Sequence, residues 1–352
     1  MKKKLLALSL VLAMLSACAS TPSDSIAATS TPTEAPAPAA EPTPEPTSAP
    51  SQTPAPTMAV YDEVSFDDWR AAAGCTMPDY TFSAPHTPQP LEKSTWPAEG
   101  VTLRTYVADT LEEAAELYHT TVETLKELNP DYEENYTRNH GQYWGLKLQA
   151  EPYTLPMNNV VSVTVSAPWV ENQYDRTGTY NVPASLDKQA QAALATAYYF
   201  QYKWCGMHGG FWPYEPVDDL PKWLQGYATD GAFYTKFSEF NNFLRRVYSD
   251  AWVDDLLNEE PALFAEGEND TILTGDGDRG SNVAYCGHLF TEPELQPDGS
   301  VEFWQLVLTC ESEEFAGWGG EEPVVPDTAT VMPVRLVPTE DGWRVNGVNL
   351  PN

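Results

Sequence analysis

The sequence predicts an α+β chain: a small strand-helix-helix-strand (βααβ) module over residues 101–152, then a domain over 156–352 in which helices pack on a curved antiparallel sheet, the whole preceded by a disordered proline-rich tether. Three observations predict it. Apolar and polar residues alternate over VTLRTYVA and then give way to two short capped helical patterns. Beyond residue 156, helical patterns come first and a run of strand patterns follows, punctuated by turn sequences, which is the α+β order. Finally, the stretch up to Met58 is almost entirely Ser, Thr, Ala, Pro and Glu, with nothing to bury against the entropy of folding.

The chain opens with MKKKLLALSLVLAMLSAC, in which three lysines precede an apolar run from Leu5 to Leu15 and then small residues. That charge order and length describe a secretory signal over residues 1–17, too short to span a bilayer. Its end, LSAC, resembles the lipobox of bacterial lipoproteins. The resemblance implies diacylation of Cys18, which then becomes the N-terminus and anchors the chain on the extracytoplasmic side of a membrane, two acyl chains sufficing for stable attachment. Residues 18–58 then read as an extended tether that holds the folded part away from the membrane. Residues 59–100 give no assignable order beyond one short helical pattern, FDDWRAAAG, among proline-rich turns.

Charge narrows the partners. With 51 acidic against 19 basic residues, the formal net charge is −32, which argues against nucleic acid and against any polyanion found by long-range attraction. A ligand must be neutral, cationic, or gripped at short range.

The 101–152 module is the most informative segment. Val101, Leu103, Thr105 and Val107 alternate as a half-buried strand. Asp109 with Glu112 has capping-box spacing and opens a helix whose face is Leu111, Ala114, Ala115 and Tyr118. Thr120 with Glu123 repeats the device before Val122, Leu125 and Leu128, and Asn129-Pro130 stops the second helix. A polar loop follows, and Leu146 and Leu148 offer a closing strand. The run TYVADTLEEAAELYHTTVETLKELNPD resembles the LysM module. The resemblance implies a βααβ fold that binds N-acetylglucosamine-containing glycans such as peptidoglycan. It places binding in two loops, Ala108, Asp109, Thr110 and Leu111 after the first strand, and Asn129, Pro130 and Asp131 after the second helix. Here Ala108 stands where the family usually has glycine, and the loop DYEENYTRNHGQYWG is longer than usual.

In the C-terminal segment, SLDKQAQAALATAYYFQYKW reads as a helix over 185–204, and a second helix over 231–257 carries Phe233, Phe237, Phe240, Leu244 and Val247 as a core stripe. Strand patterns follow at LFAEG, DTILTG, NVAYCGHLF, SVEFWQLVLTC, ATVMPVRLVPT and GWRVNGVNL. A hairpin centred on Asp298 would set Cys286 opposite Cys310, as a disulfide or as two reduced, half-buried thiols. FYTKFSEFNNFLRRVYSDAWVDDLL and DGWRVNGVNL resemble nuclear-transport-factor-like domains and secreted inhibitors of cell-wall D,L-endopeptidases. That likeness implies a protein-binding or ligand-sensing domain with a cell-wall hydrolase as its partner.

No constellation for catalysis stands out. Cys205 and His208 lie close in sequence without a third orienting group, and a packed or disulfide-bonded cysteine explains them. GDGDRG with Asp270 lacks the spacing of a calcium loop and reads as a solvated turn. No metal and no cofactor is expected. The leading expectation is a non-enzymatic, membrane-anchored peptidoglycan-binding lipoprotein; the alternatives are a regulator of a wall hydrolase and a hydrolase whose site the sequence does not show.

Overall fold

The computed structural model describes residues 56–61, 75–85, 96–156, 159–170, 176–206, 212–221, 224–258, 263–275, 284–310 and 325–346. The signal segment, Cys18, nearly all of the tether, the short helical pattern at 66–74, His208, the Cys205 side chain and residues 276–280 lie outside them. Pro54–Asn352 forms one compact unit. In chain order come β1 (Asp79–Pro85), β2 (Thr102–Thr105), α1 (Leu111–Leu117), α2 (Val122–Leu128), α3 (Tyr132–Arg138), β3 (Val160–Ser166), β4 (Thr177–Pro183) and α4 (Lys188–Phe200). They are followed by β5 (Tyr214–Pro216), β6 (Gly226–Ala228), α5 (Phe237–Val247), α6 (Asp250–Asn258), β7 (Phe264–Glu266), β8 (Ile272–Thr274), β9 (Tyr285–Phe290), β10 (Glu294–Leu295), β11 (Val301–Thr309), β12 (Thr328–Thr339) and β13 (Gly342–Asn346).

The architecture is α+β. A three-stranded antiparallel sheet has the order β1-β3-β4, a four-stranded one the order β5-β6-β8-β7, and a six-stranded one is built around β11 and β12. All six strand patterns read from the C-terminal sequence form strands, because each alternates or is continuously apolar between turn residues. Helix α4 touches β3, β4 and β13, and nearly all its side chains are buried. A helix enclosed in this way has no solvent face, which is why its sequence, rich in Ala and aromatics, lacks a polar stripe. Asp187 starts it, one carboxylate oxygen accepting from the Gln189 and Ala190 N–H groups at 2.8 and 2.9 Å and the other from Trp343 Nε1 at 3.2 Å.

The expected helix over 185–204 is regular only to Phe200 and continues as a π-helical turn over Gln201–Gly206. The expected helix over 231–257 is two helices, broken at Tyr248 and Ser249. Tyr248 is fully buried and donates its hydroxyl to Ala197 O at 2.6 Å, and Ser249 N–H donates to Val345 O at 3.0 Å. Tertiary bonds therefore hold the break, and Ser249 restarts the helix by accepting from Trp252 N–H at 3.3 Å. Phe240, Leu244 and Val247 are buried as expected; Phe233 is buried too, although it precedes α5, and Phe237 is half-buried.

Of the two alternatives for Cys286 and Cys310, the structure has the reduced pair, both of them buried free thiols. The hairpin does turn about Asp298, but its first strand is β10, with Glu294 opposite Glu302 and Leu295 opposite Val301. Strand β9 pairs one position off that register, with Phe290 opposite Gln305, and a bulge at Cys286 puts Tyr285 opposite Thr309. Cys310 N–H donates to Ala284 O instead, so the two cysteines are not cross-strand partners.

The boundary expected near residue 155 is no gap in the structure. Strand β2 pairs in parallel with β12, Thr102 through Thr105 facing Thr328 through Val331, so the 101–152 segment extends the large sheet. The unassigned 59–100 segment contributes β1, paired with β3.

Candidate functional site

Within residues 101–153, β2 leads into α1 and α2, and the chain returns antiparallel to β2. Val101 bridges Tyr153, Arg104 bridges Lys147, and Ala108 bridges Tyr143. Thr105 N–H donates to Leu146 O at 2.8 Å and Leu148 N–H to Leu103 O at 3.1 Å, which closes the expected strand pair through Leu146 and Leu148. Leu111, Ala114, Ala115 and Tyr118 are buried, as the periodicity requires.

Both helix caps sit one residue later than the sequence suggested. Thr110, not Asp109, caps α1, accepting from Glu113 N–H at 3.0 Å, while the Glu113 carboxylate reaches back to Asp109 N–H at 2.8 Å. Thr121, not Thr120, caps α2, accepting from Thr124 N–H at 3.1 Å. DTLEE and TTVET offer a polar side chain at both registers, and the apolar face selects the later one.

The long loop is also corrected. Residues Tyr132–Arg138 form α3, whose Asp131 cap makes no side-chain bond. It is held from its buried side: Asn135 Nδ2 donates to Trp144 O at 2.8 Å, its Oδ1 accepts from Trp144 N–H at 3.1 Å, and Asn139 Nδ2 donates to Asn135 O at 2.9 Å.

The two expected binding loops meet the same closing segment, the first at Tyr143 and the second at Lys147, positions four residues or about 13 Å apart along an extended chain. Tyr143 on that segment packs against Tyr136 of α3, with ring centroids 4.9 Å apart and Tyr136 40% exposed. Burial raises the Tyr143 hydroxyl pKa, and nearby Tyr136, Tyr132, Glu112 and Glu133 raise it further, so acids and phenols of α1 and α3 lie near this ring.

Several of the expected residues are committed to the fold. Leu111 is buried; Ala108 exchanges both backbone bonds with Tyr143, at 2.8 and 3.0 Å; Asp109 Oδ1 accepts from Gln142 Nε2 at 2.9 Å. Asn129 is 6% exposed, its Nδ2 donating to Leu125 O at 2.8 Å and Lys147 O at 3.0 Å, and its Oδ1 accepting from Lys147 N–H at 2.8 Å. Its amide thus stands in for a third strand beside Lys147. Pro130 and Asp131 are exposed, as are Asp109 and Thr110.

Sequence reading missed a groove of about 480 Å³ lined by Asn129, Pro130 and Asp131 together with Arg104, Arg138, Trp144 and Lys147. None of Ala108 to Leu111 lines it. The signal is in YTRN and YWGLK, two cations and a tryptophan in and just after the long loop, but only α3 brings them together.

Elsewhere, Cys286 and His288 are insulated rather than poised. Burial pushes Cys286 up to about 11 and His288 down to about 4, and Tyr285 Oη lies 2.7 Å from His288 Nδ1. Asp270, near the GDGDRG turn in sequence, accepts from Ser238 N–H and Oγ at 2.8 and 2.6 Å. Among the described residues no cluster of His, Cys, Asp and Glu could hold a metal ion, and no helix is long and apolar enough to cross a membrane. Compared with protein-family models and with curated proteins, the chain matches none of them.

Proposed function

We propose that the chain is a lipid-anchored, extracytoplasmic protein that binds N-acetylglucosamine-containing glycan, such as peptidoglycan, through the LysM-like segment 101–153, and that it does so without catalysis. The observation that carries the reading is the Tyr136–Tyr143 ring pair, in which Tyr143 is the strand partner of Ala108 in the first loop and Tyr136 stands on α3, the helix that follows the second loop. Acetamido sugars are uncharged and have one apolar ring face. A half-exposed phenol pair near the exposed Asp109, which bonds Gln142 next to Tyr143, suits them, and a strongly acidic surface does not repel them.

The test is sedimentation of the full chain with purified peptidoglycan, followed by titration with a soluble N-acetylglucosamine oligomer. Tyr136→Ala is expected to weaken oligomer binding about tenfold, as removal of a central aromatic contact does at a small interface. Unchanged affinity would refute this placement of the site. Anchoring through Cys18 is tested separately by fatty-acid labelling; a Cys18→Ser protein that still fractionates with membranes and still takes up label would disprove it.

A further inference from the structure

We infer that the groove behind the second loop is a carboxylate-binding subsite that takes an acidic substituent of the glycan; the inference rests on the glycan reading above only for the polymer that carries the acid. The groove itself supplies the argument. Its two asparagines cannot serve a ligand, because Asn129 and Asn135 spend their amides on the backbone of Trp144 and Lys147. The polar groups left to meet a ligand are the exposed cations Arg138 and Lys147 and the exposed carboxylate of Asp131.

These two cations are unusual for this chain. Acidic residues outnumber basic ones by 51 to 19, so a basic side chain readily finds a partner. Arg245, Arg246, Arg335, Arg344 and Lys236 pair with carboxylates, and Lys126, Lys188 and Lys203 lie over aromatic rings. Arg104 donates to Gly145 O at 2.9 Å and Arg176 to Val170 O at 2.6 Å. Among the described basic residues, Arg138 and Lys147 alone have no side-chain ion pair, hydrogen bond or ring contact. Asp131 shares the groove but forms no ion pair with either.

Chemistry then selects the occupant. A guanidinium and an ammonium facing one groove match an oxyanion, and the fork of arginine matches a carboxylate in particular. Trp144, 54% exposed on the groove wall, offers an apolar face to the ring that bears it. At physiological ionic strength charges are screened over about 8 Å, so an acid seated here meets the two local cations more strongly than the remaining surface charge. A polyphosphate chain would instead carry its further charges across a surface of net charge −32, which makes a single carboxylate the better ligand.

The experiment titrates the full chain with four probes: a neutral N-acetylglucosamine oligomer, a peptidoglycan disaccharide with its free lactyl carboxylate, the methyl ester of that disaccharide, and polyglycerol phosphate. Wild type should bind the acid three- to tenfold more tightly than the ester, the range expected of two exposed ion pairs, and the preference should shrink as salt rises. In the Arg138→Gln, Lys147→Gln double variant the acid-to-ester ratio should fall to about one. Equal binding of acid and ester by wild type, or a preference that survives the double substitution, overturns the subsite. Binding of polyglycerol phosphate as tight as that of the acid overturns the choice of carboxylate. If the oligomer binds without any acid preference, the subsite fails and the glycan reading stands. If the acid binds by charge while the oligomer does not bind, the loop site fails and the subsite stands; if no probe binds, both fail.

Discussion

Asn129 separates a fold residue from a ligand residue. In the LysM resemblance its position belongs to the binding loop, yet its amide makes three hydrogen bonds to Leu125 O, Lys147 O and Lys147 N–H and is 6% exposed. The Lys147 backbone faces away from β2 at this point, since the β2 bonds go to Leu146 and Leu148. Replacing Asn129 with Ala therefore removes the partners that this peptide edge has among the described residues. At about 1 kcal/mol net per bond the loss is about 3 kcal/mol, reduced somewhat because Lys147 lies at the surface and water can reach it. For a unit of roughly 300 residues each kcal/mol moves Tm by about 2 °C, so a fall of about 4 to 6 °C is expected. The assay is denaturant unfolding of Asn129→Ala beside wild type, with oligomer affinity measured per folded molecule at low temperature. A clear stability loss is expected, with affinity changed less than about threefold. A stability loss under about 0.5 kcal/mol combined with abolished binding would show that the amide serves the ligand, and would refute its role as a surrogate strand.

Three further outcomes test the frame around the site. Tyr118 Oη accepts from Tyr106 N–H at 2.8 Å and donates to Val331 O at 3.0 Å, tying α1 to the large sheet; Tyr118→Phe should cost about 2 kcal/mol in urea unfolding, and a neutral substitution would show that the tie is dispensable. Gly100 has φ +86° and an added Cβ would lie 2.4 Å from Tyr153 O, so Gly100→Ala should destabilise by more than about 1 kcal/mol, and a stabilised variant would contradict this backbone. Burial holds His288 at about 4, below its unfolded value of about 6.5, so below pH 6.5 the unfolded state binds a proton that the folded state refuses. Stability from this group is complete above pH 6.5 and declines as pH falls toward 4, by about 2 kcal/mol at pH 5. His288→Gln should flatten the stability profile between pH 7 and 5, and an unchanged slope would exclude the histidine as its cause.

How far the sequence carries depends on where each element gets its free energy. The α1 face and the six C-terminal strands were legible because burial of one periodic face decides them, and Leu111, Ala114, Ala115 and Leu306 sit where that period puts them. Strand β3 is equally legible in VVSVTVS, with Val163 and Val165 fully buried, whereas its neighbour β1 carries a proline and gives no pattern of its own. Helix α3 is different in kind. YEENYTR has no apolar stripe and no side-chain cap, and what holds it is Asn135 bonded to Trp144, a contact that exists only once the closing segment has returned beside β2. The pairing of β2 with β12 joins Thr102 to Thr328, and no local propensity encodes a match across that distance. The candidate site inherits the same division. Its two loops could be located because caps and a helix stop mark them, whereas the groove between Arg138 and Lys147 is produced by α3 and could not be seen before α3 was. Residues that a loop motif nominates are then often the ones the fold has used, as with Asn129 and Ala108, and the groups left for a ligand are those for which the chain itself has no partner.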